Sequence, residues 1–302
     1  GRISINRHCM KLYKSTEGGT GGSAVSPTAK ITANSMLAKR LLVAGVLLPT
    51  GILFLSLGGW AYNLLVTACL GVAAWEFWRM FTRGGYQPDL RLLVGGVIVI
   101  ALARSTWGFA RQDEILAALV VISLGVYIIR YELGSPSAAT DFGVTAGGLL
   151  YLGWLGSYLI SIRQLPNGFE WAILALLAVS AADVGAFFVG SGLGKHPMTA
   201  RISPHKTWEG YVGGVLAGVL SGLLLAWLIS LRIPAIQPVH GLLVGLVVSV
   251  LSPLGDFAES LFKRQFDLKD SSHIFPGHGG MMDRLDTLIY ASVFSFYLIQ
   301  VF

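Results

Sequence analysis

Charge is scarce in this 302-residue sequence: Asp, Glu, Lys and Arg make up 13% of it, against about 25% in a soluble globular domain. Hydrophobic residues reach 54%, and the mean hydropathy is +0.66. A soluble domain cannot expose that much apolar surface, which leaves a polytopic membrane protein. Only helices or closed barrels cross lipid. The two-residue alternation of barrel strands is missing, so the spans are read as helices. Cysteine is nearly absent too. Cys9 and Cys69 stand far apart, with Cys69 inside an apolar run, so they supply neither a disulfide framework nor a metal-binding spacing. No internal repeat is evident, and no nucleic acid is expected as a partner.

What is present is a series of long apolar runs. A span needs about 20 mostly apolar residues. Nine candidates occur, at about 41–58, 60–78, 92–109, 114–131, 143–162, 170–190, 210–231, 239–258 and 284–302, the third interrupted by Arg104. The net charge of +6 matters less than its distribution. With the N-terminus in the cytoplasm, 18 of the 22 Lys and Arg fall on cytoplasmic segments, as the positive-inside rule requires. Only Arg104, Arg111, Arg163 and Arg232 fall outside. Without the N-terminal tail the split is still 11 against 4. The expected fold class is therefore an all-α polytopic membrane protein of about nine transmembrane helices, with the C-terminus outside.

Residues 1–35 are rich in Gly, Ser and Thr without an apolar period, and read as a disordered or non-native extension. "MLAKRLLVAGVLLP" from Met36 reads like a natural start. A transit peptide is the alternative for the segment before it, and with it a plastid or other organelle membrane in place of the cell (inner) membrane. Residues 36–140 form an N-terminal group of spans. Residues 141–302 form a C-terminal region that holds two long cytoplasmic segments, 190–210 and 256–286.

Several acids lie where acids are costly. Asp183 sits well inside the sixth span, where a carboxylate costs about 3 kcal/mol on insertion scales and usually faces a polar interior. Asp256 and Glu259 end the eighth span three residues apart, on one helix face with Lys263. Asp283 and Asp286 repeat that spacing at the start of the ninth. Each pair alone fits a snorkelling helix end or a helix-dipole contact. Two such pairs at one membrane face instead offer the oxygen ligands that Mg²⁺ favours, and Lys263, Arg264, Lys269 and Arg284 suit phosphate oxygens. Between them, "FPGHGG" supplies a turn whose backbone N–H groups can approach an anion. The run 263–286 thus reads as a metal-and-phosphate site at the membrane surface. The other loop, "GSGLGKHPMTARISPHKTWEG", adds Lys195, Arg201, Ser203, Lys206 and Thr207. Its "GSGLGK" lacks the spacing of a P-loop, so it is read as a basic turn with a second phosphate contact.

These residues carry a resemblance. Ser260, Lys263-Arg264, Lys269-Asp270, then Pro276, His278-Gly279-Gly280, Asp283-Arg284 and Asp286 resemble the signature of the phosphatidate cytidylyltransferases, also called CDP-diacylglycerol synthases. The pattern is matched from Ser260 to Asp286, and the likeness extends over about residues 150–302. Phe187 and Ser191 depart from it, standing where a Tyr and a base are common. The resemblance implies transfer of CMP from CTP to phosphatidic acid, with release of pyrophosphate, in phospholipid synthesis. It implies Asp256 and Asp283 as Mg²⁺ ligands, with Asp286 and Glu259 beside them or on a second cation, and Asp256, Lys263, Asp283 and Asp286 as catalytic. It places Lys263, Arg264 and Lys269 on the triphosphate, with Asp270, Gly279, Gly280, Arg284 and Asp183 also lining the substrate site, and Lys206, Arg201 and Ser203 near the lipid phosphate. His278 positions the turn or a phosphate and is not a base, because a phosphate monoester, with a second pKa of about 6, is already largely ionised.

Two alternatives remain at this stage. One is a related CTP-dependent enzyme acting on another membrane lipid phosphate. The other is an ion-coupled transporter, which would gather its ionisable residues near the midplane, whereas here most lie at one surface. Gly214, Gly218 and Gly222 recur every four residues and permit close helix packing within the chain or in a homodimer.

Overall fold

The computed structural model describes residues 45–199, 201–272, 274 and 279–302. The expectations for residues 1–35 and for His278 and the adjoining Pro276-Gly277 lie outside the described residues. So do the basic residues Lys39 and Arg40. The architecture is helical, with no strand among the described residues.

The helices are α1 (Gly45–Leu57), α2 (Gly59–Arg83), α3 (Leu90–Trp107), α4 (Gln112–Glu132), α5 (Ala138–Gly148), α6 (Tyr158–Gln164), α7 (Gly168–Leu193), α8 (Trp208–Ser230), α9 (Pro238–Leu251), α10 (Pro253–Gln265) and α11 (Met282–Ile299). A π-helical turn, Leu149–Leu155, joins α5 to α6. Seven helical stretches are long and apolar enough to cross a membrane, among them the joined Ala138–Gln164 and Pro238–Gln265. The protein is therefore a multi-pass membrane protein. Each of the nine sequence runs falls on a helix. The two beyond the seven are α1, which is short where described, and α11, whose first turns carry Asp283, Arg284 and Asp286.

Local chemistry explains the boundaries. Asp89 caps α3, its carboxylate accepting from the N–H groups of Arg91 and Leu92 at 2.9 and 3.0 Å. Thr207 caps α8 through the N–H of Gly210 at 3.2 Å. Pro253 has no N–H to continue the ladder, so the helix that begins at Pro238 breaks there and resumes as α10. The eighth run thus extends past residue 258 to Gln265, carrying Asp256, Glu259 and Lys263 on helix. Arg104, the oddity of the third run, is fully buried. Its guanidinium lies 3.6 Å from the ring centre of Phe109, and its Nε donates to Ser157 Oγ at 3.2 Å.

Two packed groups make the molecule. One core joins α2, α3, the π turn, α6 and the start of α11 through Phe77, Leu93, Leu152 and Ile289. The other joins α7, α8 and α9 to the end of α11 through Leu174, Ala226, Val248 and Ile299. α11 runs between them. The α8 stripe is used within the chain. A Cβ on Gly214 would stand 2.8 Å from Ala182 O, and those on Gly218 and Gly222 would strike Ser249 and Gly241. It therefore gives no support to a dimer.

Candidate active site

α10 and α11 lie against each other and bring the two sequence-read pairs of acids together. Asp286 lies within hydrogen-bonding reach of both Asp256 and Glu259, and Glu259 within reach of Asp283. The result is a row, Asp256–Asp286–Glu259–Asp283. Four carboxylates in contact need positive charge or protons between them. Lys263 supplies part of it, its Nζ 3.0 Å from Glu259 Oε2 and 2.6 Å from Asp283 Oδ1. Lys206 pairs with Asp256 and lies 4.9 Å over the ring of Phe257. Glu259 Oε1 stays buried without a hydrogen-bond partner. As the side chains stand, no three His, Cys, Asp or Glu among the described residues converge on one metal position.

The loop before α8 delivers Lys206. Its two arms are tied by Met198 N to Lys206 O at 2.8 Å and Trp208 N to His196 O at 2.9 Å. Glu209 secures the start of this loop by accepting from the N–H groups of Lys195 and His196 at 3.1 and 3.2 Å. Gly190 to Gly192 belong to α7 and form no phosphate loop. Lys206, Asp256 and Asp183 share a pocket of about 580 Å³ between α7, α8 and the α9–α10 bend, with Phe187 and Ser191 also in its wall. Both departures from the family pattern therefore lie at this pocket.

The remaining sequence-read residues scatter more. Arg201 is exposed on the loop, and Ser203 holds the turn, its N–H bonded to Thr199 Oγ1 at 3.1 Å. Arg264 is spent on backbone, donating to Ile202 O at 3.4 Å and Leu268 O at 3.1 Å, so it ties the two loops together. Lys269 and Asp270 are exposed in a second cleft, and Arg284 is exposed at the start of α11. Gly279 has φ +75°, where glycine is favoured. Gly280 donates its N–H to Asp283 Oδ2 at 2.7 Å. Ser271 donates to the same oxygen from its N–H at 3.0 Å and its hydroxyl at 2.7 Å. Asp283 is thus both a site acid and the staple of its own loop.

Two residues escaped the sequence reading. Glu76 of α2 is fully buried and accepts from Ser272 Oγ at 2.5 Å and Met281 N at 3.0 Å on one oxygen. Its other oxygen accepts from Met282 N at 2.7 Å and lies 3.2 Å from Ser271 Oγ, whose one proton goes to Asp283. It fastens both ends of the 271–282 loop to α2. The available signal was a lone acid within an apolar run, as at Asp183. Tyr151, on the π turn, places a buried hydroxyl without a hydrogen-bond partner beside the acids. Such turns are frequent at functional sites, but sequence gives no sign of them.

Comparison with known proteins identifies the family. The chain is 32% identical over 269 residues to a phosphatidate cytidylyltransferase of Bacillus subtilis, covering 87% of this chain and 98% of that one. A protein of that name in Pseudomonas aeruginosa is 36% identical over 262 residues, covering 85% and 94%. One in Synechocystis is 30% identical over 293 residues, covering 87% and 97%. Residues 38–302 match the cytidylyltransferase family, and the chain belongs to that family.

Proposed function

We propose that the protein transfers CMP from CTP to phosphatidic acid, releasing pyrophosphate and leaving CDP-diacylglycerol in the bilayer for phospholipid synthesis. The observation that carries the reading is the row of four carboxylates with Lys263 and Lys206, which joins the signature residues Lys263, Asp283 and Asp286 to Asp256, Glu259 and Lys206 before it and opens on a partly apolar pocket. A phosphate oxygen of phosphatidic acid attacks the α-phosphorus of CTP. A new P–O bond forms, the bond to the bridging oxygen breaks, and its electron pair leaves with pyrophosphate. The attacking phosphate is already largely ionised, so no side chain has to remove a proton. Lys206, at the pocket wall, is placed to exchange its pairing with Asp256 for the lipid phosphate. Asp183 shares that pocket. Lys263 holds the acids at their spacing, and Lys269 reaches the nucleotide side. Gly279 and Gly280 lie against Asp283, and the role proposed for His278 is to position that turn or a phosphate.

The donor set suits Mg²⁺: hard oxygens, an excess of acid, and the buried, unpartnered Glu259 Oε1. Asp256 and Asp283 would hold it, with Asp286 and Glu259 beside them, once the lysines turn aside; a second cation in the same site extends the proposal. When bound, it supplies the positive charge that lets two anionic phosphates approach. We place the site at the cytoplasmic face of the cell (inner) membrane, with nine crossings, the N-terminus inside and the C-terminus outside. The basic bias of alternate loops supports this. Residues 141–302 carry the catalytic acids, and 36–140 buttress them. A homodimer would need a surface other than the α8 stripe.

The test is lipid-linked CMP formation by the purified protein from labelled CTP and phosphatidic acid in detergent micelles. Label should enter the lipid phase with Mg²⁺ and stay out when a chelator removes it. Label absent from folded protein with phosphatidic acid, but present with another lipid phosphate, would overturn the acceptor assignment.

A further inference from the structure

α2 sends three charged residues to the active-site end of the bundle: Glu76, Arg79 and Arg83, at three- and four-residue steps that keep them on one helix face. Glu76 turns inward to the loop. Arg79 and Arg83 line a separate cleft of about 440 Å³ with Lys269, Asp270, Ser271 and Ser272, a size within the usual range for small-molecule sites. This cleft shares no lining residue with the Asp183–Lys206 pocket. The carboxylate row joins them. Asp256 at one end is in the wall of the pocket. Asp283 at the other end is bonded to Ser271, in the wall of the cleft.

The two openings differ chemically. The pocket wall is apolar around Asp183 and Lys206, with Ala182, Ala186, Phe187 and Gly214, which suits a lipid headgroup entering beside its acyl chains. The cleft has three cations and, at Asp267 and Asp270, two acids. Among the described residues, none of the three cations is in an ion pair with those acids or any other. Arg79 is braced, its guanidinium 5.2 Å from the ring centre of Trp75. Arginine forks suit phosphate oxygens, which they can hold through two parallel N–H groups.

We propose that the cleft between α2 and residues 267–272 is the polyphosphate site, with Arg79 and Arg83 binding the β- and γ-phosphates of the nucleotide and then the departing pyrophosphate. This rests on the transfer reaction above. The two substrates then reach the carboxylate row from different openings, so the attacking and leaving oxygens lie on opposite sides of the α-phosphorus.

Arg79→Gln, Arg83→Gln and the double variant test it in the purified full chain. Each guanidinium lost should raise the KM for CTP about tenfold, as expected for a charge-assisted contact. Inhibition by inorganic pyrophosphate should weaken in proportion, while the KM for phosphatidic acid changes less than about twofold. A double variant with unchanged KM for CTP and unchanged pyrophosphate inhibition overturns the proposal, and so does an equal rise in both KM values. If the double variant does not fold, Lys269→Gln, on the exposed loop, should show the same selective shift. If the wild type transfers no CMP, the reaction is misread. Direct calorimetry with pyrophosphate then decides the cleft by itself: binding weakened by Arg79→Gln supports it, and binding absent or unchanged overturns it.

Discussion

Asp283 and Glu76 show how differently two buried acids can be used. Asp283 faces Lys263 with one oxygen and three loop donors with the other. In Asp283→Asn the amide oxygen can keep the loop donors, while the amide NH₂ meets Lys263. Turnover should fall about a hundredfold or more, and the thermal midpoint in detergent should fall as well, because the NH₂ and the Lys263 ammonium are both donors. Glu76→Gln is different. Its two oxygens hold three donors, two of them backbone N–H groups, and an NH₂ cannot accept from them. That variant should lose about 1.5–3 kcal/mol of stability as well as activity, read by the same midpoint and assay. Full activity in Glu76→Gln would mean that α2 has no part in positioning the site. Asp283 was legible in the sequence because it sits in a dense pattern of charge. Glu76 was not, because its partners lie 196 to 206 residues away.

At the scale of elements, apolar length placed a helix on every run, and most boundaries moved by only a few residues. The bend at Pro253 and the π turn at Leu149–Leu155 were harder to see. The first continues an apolar run into a charged helix without a gap. The second depends on how neighbouring helices press on an ordinary apolar stretch. Close contact between α8 and α9 is the element on which the lipid-side pocket rests. On Gly245, a Cβ would stand 2.6 Å from Gly218 O and 3.1 Å from Val219 Cα. Gly245→Val should therefore cost about 1–3 kcal/mol by overpacking, seen as a lower thermal midpoint. An unchanged midpoint would argue against this helix pair.

Across the whole molecule, the charge distribution predicts an orientation that cysteine labelling can check. In a Cys9→Ser, Cys69→Ser background, Phe302→Cys should react with a membrane-impermeant maleimide in intact cells. Asp267→Cys should react only after permeabilisation. The reverse pattern would invert the topology and move the site to the other face. Two groups of helices meet along α11, and the acids at its start occupy that seam. This is why residues from both halves of the chain, Glu76 and Asp256 among them, converge on the start of α11.

The sequence by itself determined the membrane class and the helical runs, and it marked out a dense group of acids and lysines, because composition and local spacing are properties of the chain alone. Only the tertiary structure decided that Arg264 is spent tying loops, that the α8 glycines are spent inside the chain, and that α2 closes the site. Those outcomes depend on which distant surfaces meet, and close packing leaves a buried carboxylate or a bare glycine face only the partners that the neighbouring helices bring to it.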